Sequence, residues 1–229
     1  MYTGIKHIFF DLDDTLYDFE KNSSIALEQL FTEFSLGNKL NTNFTEFHDA
    51  YKKVNSQFWS LYSKGQITKQ YLRDHRFHEA FKKFSYDNFD DNLVFNEQYL
   101  TLAPHGPHLK EGCIEALEYL KPKYSLHIIT NGFKEIQNIK LTGSGIKNYF
   151  SNIIISEEHG LSKPDEKIFR LAETIASGNK DECLMIGDSY ESDIAGSLGA
   201  GWEAIWLHAN DHSEQVRSIK KLHELRNFL

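Results

Sequence analysis

Near its start the chain has an apolar run that stops abruptly at acidic residues. The stretch reads Ile5-Lys6-His7-Ile8-Phe9-Phe10-Asp11-Leu12-Asp13-Asp14-Thr15. A short run of β-branched and aromatic residues bounded by turn formers predicts a strand that is buried on both faces of a sheet. Residues two apart in an extended segment point the same way, so we expect Asp11 and Asp13 to face one small volume at the carboxyl end of this strand.

A helical pattern follows, from about Asp18 to about Leu102. Its apolar residues recur at three- and four-residue steps, which is typical of amphipathic helices. The clearest helix begins at Asn43, which with Glu46 forms a capping-box pattern, and continues to Gly65. The other predicted helices run from Asp18 to near Gly37, from Thr68 to Phe84, and from about Asp91 to Leu102.

Beyond Pro104, helical segments alternate with short apolar runs. The predicted helices are Lys110–Lys121, Phe133–Thr142, Asp165–Ala176 and Ser192–Leu198. The predicted strands are Ser125–Ile129, Asn152–Ile155, Cys183–Ile186 and Trp202–Leu207. Such alternation builds a parallel sheet with helices on both faces. The tail from Val216 to Phe228 is expected to add a short strand and a terminal helix.

The opening strand has no parallel partner before residue 104, so we expect it to join this same sheet. The predicted fold is therefore α/β, a doubly wound parallel sheet with an inserted all-helical domain. The sheet domain would comprise residues 1–17 and 104–229, and the helical domain residues 18–103.

Composition narrows the class of protein. The chain has 229 residues, 40% of them hydrophobic, and a formal net charge of -8, which disfavours binding to a nucleic acid polymer. Its two cysteines, Cys113 and Cys183, are too few for a disulfide framework and are expected to be buried and reduced. The sequence shows neither a signal peptide nor an apolar stretch of membrane-spanning length, so a cytoplasmic location is expected.

Beyond Pro104, polar groups follow three of the predicted strands at the sheet edge where ligands bind in open parallel sheets. They are Thr130-Asn131-Gly132, the loop Gly160-Leu161-Ser162-Lys163-Pro164, and Gly187-Asp188-Ser189 with Asp193. Each motif alone is more often an ordinary turn or helix start, but their joint occurrence favours a site. The carboxylates Asp11, Asp13, Asp188 and Asp193 would repel one another without a cation, and an oxygen-only set suits Mg²⁺. Lys163, the Thr130 hydroxyl and the N–H groups of Asn131 and Gly132 are suited to phosphate.

In these motifs the chain resembles the haloacid dehalogenase superfamily of aspartyl-nucleophile hydrolases. The residues that carry the resemblance are Asp11–Thr15, Thr130–Gly132, Lys163-Pro164, and Gly187–Ser189 with Asp193. The helical insertion resembles the helical cap of that superfamily. The segment Leu16–Asn22 is similar to the pyrimidine nucleoside 5′-monophosphatase branch.

The resemblance implies a mechanism and a set of roles. Asp11 would attack phosphorus to form an aspartyl-phosphate, and Asp13 would act as the general acid and base. Mg²⁺ would be held by Asp11, by Asp13 through its backbone carbonyl, and by Asp188. Lys163, Thr130 and Asn131 would bind the phosphate, with Asp193 orienting Lys163 or a water on the metal. Apart from the resemblance, aromatic faces accept a base without a specific hydrogen-bond pattern, so Tyr17 and Phe19 are expected to contact the substrate by stacking.

The predicted function is Mg²⁺-dependent hydrolysis of phosphomonoesters, with pyrimidine nucleoside 5′-monophosphates as the expected substrates. A sugar-phosphate phosphatase or a phosphomutase fits the same motifs. A 2-haloacid dehalogenase fits less well, because a halide leaves without being protonated and needs no acid at Asp13. A non-enzymatic module that binds a phosphorylated ligand is the alternative of a different class. The protein is expected to be a monomer or a homodimer.

Overall fold

The computed structural model describes residues 2–208 and 216–229. The chain divides into two compact units. One unit takes the chain up to Phe19 and again from Pro107 onward, and the other is Glu20–Gly106. The sequence placed these divisions a few residues earlier, after Tyr17 and Ala103. That the Glu20–Gly106 unit serves as a cap stays a prediction.

Helices make up the Glu20–Gly106 unit. Asn43 begins one of them as expected, because its side chain accepts a hydrogen bond from the N–H of Glu46 at 3.0 Å. The reciprocal bond of a capping box is replaced, since the Glu46 carboxylate accepts from the Thr42 hydroxyl at 2.5 Å instead. The helices are α1 (Phe19–Glu33), α2 (Leu36–Leu40), α3 (Phe44–Ser63), α4 (Lys69–Lys82) and α5 (Phe89–Leu102), followed by a 3₁₀ turn at Ala103–His105.

The short helix α2 was not expected from the sequence, which ended the first helix near Gly37. Ser35 and Asn41 both take left-handed backbone conformations, with φ of 53° and 48°. These two residues isolate the single turn of α2 between them. Because left-handed conformations in non-glycine residues are uncommon, the apolar pattern gave no sign of these breaks.

The helical unit is held together by aromatic rings. Phe77 and Phe81 of α4 meet Phe95 of α5 edge-on, with ring centroids 4.9 and 5.4 Å apart. Phe47 of α3 completes the group, and all four side chains are buried. Edge-to-face packing places the positive edge of one ring against the negative face of another, which adds to the stabilisation from burial.

A parallel sheet of six strands forms the centre of the other unit within the described residues. Its strand order is β3-β2-β1-β4-β5-β6. Phe10 of β1 pairs in register with Ile128 on one side and Ile186 on the other. The opening strand is therefore central, and the direction of chain progression reverses beside it. The strands are β1 (His7–Phe10), β2 (Ser125–Thr130), β3 (Asn152–Ile155), β4 (Cys183–Gly187), β5 (Glu203–Leu207) and β6 (Arg217–Ile219).

Helices cover both faces of the sheet. Ile8 and Phe10 of β1 belong to one buried cluster and Phe9 to another, as the alternation of strand side chains requires. The helices of this unit are α6 (Cys113–Leu120), α7 (Lys134–Gly143), α8 (Ser156–His159), α9 (Glu166–Ala176) and α10 (Gly196–Gly199). The first cluster includes residues of α6, and the second includes residues of α9. The predicted doubly wound α/β fold is confirmed.

Some element bounds differ from the expectation. The helix expected at Lys110–Lys121 begins only at Cys113, because Gly112 has a left-handed φ of 80°. The helix expected at Ser192–Leu198 is a wide π turn, Tyr190–Ala195, that leads into α10. In the tail, β6 is followed by a 3₁₀ turn at Leu222–Asn227 rather than an α-helix. Both cysteines are buried and free, as expected.

Among residues 2–208 and 216–229, no helix combines the length and the apolarity that crossing a bilayer requires.

A buried histidine lies within the sheet. His127 of β2 stacks on the ring of Phe9 with centroids 4.6 Å apart. Its Nδ1 accepts from the side-chain amide of Asn152 at 3.0 Å, so its Nε2 carries the hydrogen and donates to Nδ1 of His7 at 3.2 Å. Burial, and then the nearby His7, lower the pKa of His127 to about 4. A proton on Nδ1 would face the amide donor of Asn152, so the neutral ring is the form that fits this site.

This burial predicts a loss of stability in mild acid. Between pH 6.5 and 4, His127 binds a proton in the unfolded chain but stays neutral in the folded chain. The free energy of unfolding therefore falls as pH decreases. One proton corresponds to a slope of about 1.4 kcal/mol per pH unit. Urea unfolding of His127→Leu across this range should show a slope smaller by up to that amount, whereas Gln57→Ala, a change at an exposed residue that does not titrate, should keep the slope of the parent. An unchanged slope in His127→Leu would show that His127 titrates normally.

Candidate active site

The carboxyl ends of the central strands bring three carboxylates together. Asp11 directly follows β1, Asp188 directly follows β4, and Asp193 lies in the π turn after it. One carboxylate oxygen from each lies within 4.8 Å of the others. The sequence placed these three residues at one sheet edge, and the structure brings them together there.

Lys163 bridges two of these carboxylates. Its Nζ donates to Oδ1 of Asp11 and to Oδ1 of Asp193, at 2.6 Å in each case. The side chains of Lys163 and Asp193 are each only 1% exposed. A buried ammonium requires such partners, since an unpaired charge in the interior is costly. Asp193 is thus hydrogen-bonded to Lys163, and its expected role in orienting Lys163 or a water on the metal stays a prediction.

Burial first, and then the crowding of carboxylates, sets the electrostatics of the site. Burial, with Asp193 and Asp188 close by, raises the pKa of Asp11 well above its usual value, and Lys163 opposes that rise. Burial and then Asp193 raise the pKa of Asp188 to about 6. Burial alone would lower the pKa of Lys163, but the carboxylates of Asp11 and Asp193 outweigh it and raise that pKa. The site thus holds more negative charge than its one ammonium neutralises.

Gly187 makes room for Asp193. The second carboxylate oxygen of Asp193 accepts from the N–H of Ser189 at 3.1 Å. A Cβ atom at Gly187 would lie 2.2 Å from that oxygen. The Asp193 carboxylate fills the space that a side chain at position 187 would need. This packing explains why the motif has a glycine there.

Thr15 fixes the position of Asp188. Its hydroxyl donates to Oδ1 of Asp188 at 2.9 Å and accepts from the backbone N–H of the same residue at 3.0 Å. The indole N–H of Trp206 donates to the Asp188 carbonyl at 2.8 Å. Thr15 ends the first motif, but the sequence analysis gave it no role. Its proximity to Asp188 arises because β1 and β4 are neighbours in the sheet.

Asn131 and Thr130 hold the loops of the site. The Asn131 amide accepts from the N–H of Lys163 at 3.0 Å and donates to the carbonyl of Lys163 at 2.9 Å, so it fixes the backbone beneath the ammonium. The Thr130 hydroxyl accepts from Gly132 N at 3.1 Å and from the Gln137 amide at 3.0 Å. The N–H of Gly132 is thus already bonded, contrary to the expectation that it binds phosphate. Phosphate binding by Thr130 and Asn131 stays a prediction.

The carboxylate of Asp13 lies elsewhere, and the expectation that four carboxylates would converge was wrong. Its two oxygens accept from Nζ of Lys140 at 2.5 Å and from Nε2 of Gln137 at 2.8 Å, both on α7. Three carboxylates form the cluster in the described part of the chain, and that of Asp13 is not among them. A metal contact through the Asp13 backbone carbonyl stays a prediction.

Tyr17 and Phe19 do not form an open stacking surface. Tyr17 is fully buried in the core cluster, and Phe19 packs against that cluster. Nζ of Lys140 lies 5.2 Å from the ring centroid of Tyr17 and 4.9 Å from that of Phe19. A fully buried ring offers no face to a ligand, so this placement does not support substrate stacking by Tyr17. A substrate contact by Phe19 stays a prediction.

Sequence reasoning missed Gln137 and Lys140. Both are buried, and with Phe133 and Leu141 they occupy the core-facing stripe of α7. A glutamine and a lysine in a stripe of that kind are a detectable signal, since buried polar groups need partners. The periodicity, however, does not identify those partners.

The site residues all lie within a stretch of the chain that matches a known family model. A model described as haloacid dehalogenase-like hydrolase matches residues 5–201. The chain belongs to the haloacid dehalogenase-like hydrolase family. The resemblance stated from the motifs is confirmed, and the protein is an enzyme of this hydrolase family.

Two curated members of the family match nearly the whole chain. "Pyrimidine 5'-nucleotidase YjjG" of Escherichia coli (strain K12) is 34% identical, and the match covers 97% of this chain and 96% of that protein. "Pyrimidine 5'-nucleotidase PynA" of Streptococcus pneumoniae (strain ATCC BAA-255 / R6) is 33% identical, and the match covers 97% of this chain and 92% of that protein.

A solved structure of a family member is also similar. The HAD-hydrolase YfnB from Bacillus subtilis, solved bound to magnesium, superposes with a TM-score of 0.87 at 28% identity. The match covers 98% of each chain.

The packing of Asp193 against Gly187 gives a prediction on stability. In Gly187→Ala the new methyl group would displace the Asp193 carboxylate from Lys163, which would leave a buried ammonium with one partner fewer. We expect the free energy of unfolding to fall by about 3 kcal/mol in urea titrations. Gly199→Ala is the control, because a Cβ atom there meets nothing within 4 Å. Equal stability of the two variants would contradict the packing described.

Proposed function

We propose that this hydrolase is a Mg²⁺-dependent phosphomonoesterase that acts on pyrimidine nucleoside 5′-monophosphates through an aspartyl-phosphate at Asp11. The observation that carries the proposal is the position of Asp11, between the Lys163 ammonium and a cluster of further carboxylates. An attacking carboxylate needs neighbouring positive charge to approach an anionic phosphate. The substrate class is supported by the names of the two curated relatives.

The donor set fits a divalent cation. Three carboxylates and one ammonium leave two uncompensated negative charges when all are ionised. Hard carboxylate oxygens are the protein ligands that Mg²⁺ prefers. The two carboxylate oxygens of Asp193 accept hydrogen bonds from Lys163 and from the N–H of Ser189. Asp11 and Asp188 would therefore hold the ion. Bound there, it would supply positive charge against the phosphate oxygens.

The first step transfers the phosphoryl group to the protein. An oxygen of Asp11 bonds to phosphorus, the bond from phosphorus to the ester oxygen breaks, and its electron pair goes to that oxygen. Asp13 gives its proton to the departing oxygen and becomes a carboxylate. Lys163 keeps its hydrogen bond to Oδ1 of Asp11 and orients the attacking group. Protonation is needed because the alkoxide of a nucleoside is a poor leaving group.

The second step releases phosphate. Asp13 takes a proton from a water molecule as the water oxygen bonds to phosphorus. The bond between phosphorus and Asp11 breaks, and its electron pair returns to the Asp11 carboxylate. Asp11 and Asp13 thus recover their starting protonation states over one turnover.

The alternatives differ in what they require of the residues. A sugar-phosphate phosphatase or a phosphomutase would use the same side chains. A dehalogenase has no need of an acid at Asp13, and a module that only binds a phosphorylated ligand gains nothing from carboxylates that face its anion. A cytoplasmic location and a monomeric or dimeric state stay predictions.

Substitution of Asp11 tests the mechanism. With Mg²⁺ present, we expect phosphate release from uridine and thymidine 5′-monophosphates to exceed release from adenosine 5′-monophosphate and sugar phosphates. Asp11→Asn should lower turnover at least about 1,000-fold, because it removes the nucleophile while retaining size. The exposed control Asp181→Asn should turn over like the parent. Activity that survives in Asp11→Asn would refute the intermediate, whereas turnover of sugar phosphates alone would refute only the substrate class.

The metal site has a test of its own. Chelation of divalent cations should abolish phosphate release, and addition of Mg²⁺ should restore it. In Asp188→Asn the Mg²⁺ concentration for half-maximal rate should rise at least about tenfold, because the ion loses a charged ligand. Binding to the folded state also raises the thermal midpoint, so Mg²⁺ should stabilise the parent and the control Asp90→Asn more than Asp188→Asn. Equal stabilisation of all three would place the ion elsewhere.

A further inference from the structure

Two buried side chains of α7 hold the carboxylate of Asp13. Lys140 and Gln137 lie three residues apart and so project from the same helix face. Each donates to a different oxygen of Asp13, Lys140 at 2.5 Å and Gln137 at 2.8 Å. Two donors at separate oxygens fix the plane of the carboxylate as well as its position. Asp13 is thereby kept apart from the cluster that contains Asp11.

Lys140 is itself held by its surroundings. Its side chain is 5% exposed, and its ammonium lies near the ring faces of Tyr17 and Phe19. Among the described residues, Asp13 is the carboxylate that pairs with it. Cation–π contact and burial replace water around the ammonium. Its charge is therefore directed at Asp13.

Gln137 shows a pattern that stability alone does not explain. Its amide N–H group donates to Asp13 and to Thr130, while its Oε1 is buried without a hydrogen-bond partner among the described residues. A buried unpaired acceptor costs about 1–3 kcal/mol, and an apolar side chain would avoid that cost. A Cβ atom at Gly132 would lie 1.6 Å from Nε2 of Gln137. Glycine at position 132 therefore leaves the room that the Gln137 amide occupies.

We propose that Lys140 and Gln137 are positioning residues that orient Asp13 for proton transfer to and from the leaving oxygen. The inference rests on the proposed phosphoesterase function and assigns it two further residues. When Asp13 loses its proton to the departing oxygen, Lys140 and Gln137 stabilise the carboxylate that forms. When Asp13 later takes a proton from water, the same two bonds keep its free lone pairs aimed at that water.

The decisive experiment compares two esters that differ in their need for an acid. Uridine 5′-monophosphate releases an alkoxide that must be protonated, whereas p-nitrophenyl phosphate releases a phenolate that is stable without a proton. Lys140→Met keeps the length of the side chain and removes its charge. Hydrolysis of the aspartyl-phosphate is common to both esters and enters kcat, so the comparison uses kcat/KM, which reports the transfer step alone. We expect kcat/KM for the nucleotide to fall about 10- to 100-fold and kcat/KM for the aryl ester to fall less than about threefold.

Three further variants separate positioning from packing. Gln137→Met should also lower kcat/KM for the nucleotide more than for the aryl ester, by a smaller factor than Lys140→Met. If Lys140→Met does not fold, Gln137→Met alone tests the proposal. Adding Lys140→Met to Asp13→Asn should lower nucleotide turnover little beyond Asp13→Asn alone, because Lys140 acts through Asp13. Lys134→Met is the matched control, since Lys134 lies on the same helix and is 58% exposed. It should leave both esters unaffected.

The outcomes distinguish failure of the proposed function from failure of the positioning role. A parent protein that releases phosphate from neither ester would overturn the proposed function, and this inference with it. A parent that is active, with Lys140→Met and Gln137→Met lowering kcat/KM for both esters equally or for neither, would overturn the inference alone. Equal losses would mark a structural role, and additive losses in the Asp13→Asn background would show that Lys140 does not act through Asp13.

Discussion

The candidate site depends on one buried ammonium between carboxylates. Lys163 bonds Asp11 and Asp193 at equal distances, 2.6 Å, and is almost wholly removed from water. Removing either carboxylate would leave the buried ammonium with one partner fewer, which costs several kcal/mol. The surrounding details follow from this need: Gly187 gives room to Asp193, and Asn131 holds the backbone of Lys163. The interaction therefore joins three loops into a single rigid arrangement.

The two aspartates of the first motif occupy different environments although they are two residues apart. Asp11 faces the crowded cluster, where burial and like charges raise its pKa. Asp13 faces α7, where an ammonium and an amide satisfy both of its oxygens. The two carboxylates thus differ in their neighbours, and it is environment rather than residue type that distinguishes them.

Topology explains why these environments meet. β1 lies between β2 and β4, so the loops after all three strands open at the same edge of the sheet. Asp11 and Asp188 come directly from two of those strand ends, and Lys140 from the helix that follows β2. A parallel sheet with its switch point at the central strand thus concentrates polar groups at one place, where ligands of such sheets bind.

The sequence by itself determined the α/β fold and the family, and it placed Asp11, Lys163, Asp188 and Asp193 at one edge of the sheet, while their catalytic and metal-binding roles stay predictions. Strand periodicity is local, and polar residues directly after a strand can only lie at its end. The tertiary structure alone decided that Asp13 turns to Lys140 and Gln137 and that Tyr17 is buried beside them. Those contacts join residues more than 100 positions apart, and the direction of a side chain depends on whichever donors the fold brings within reach.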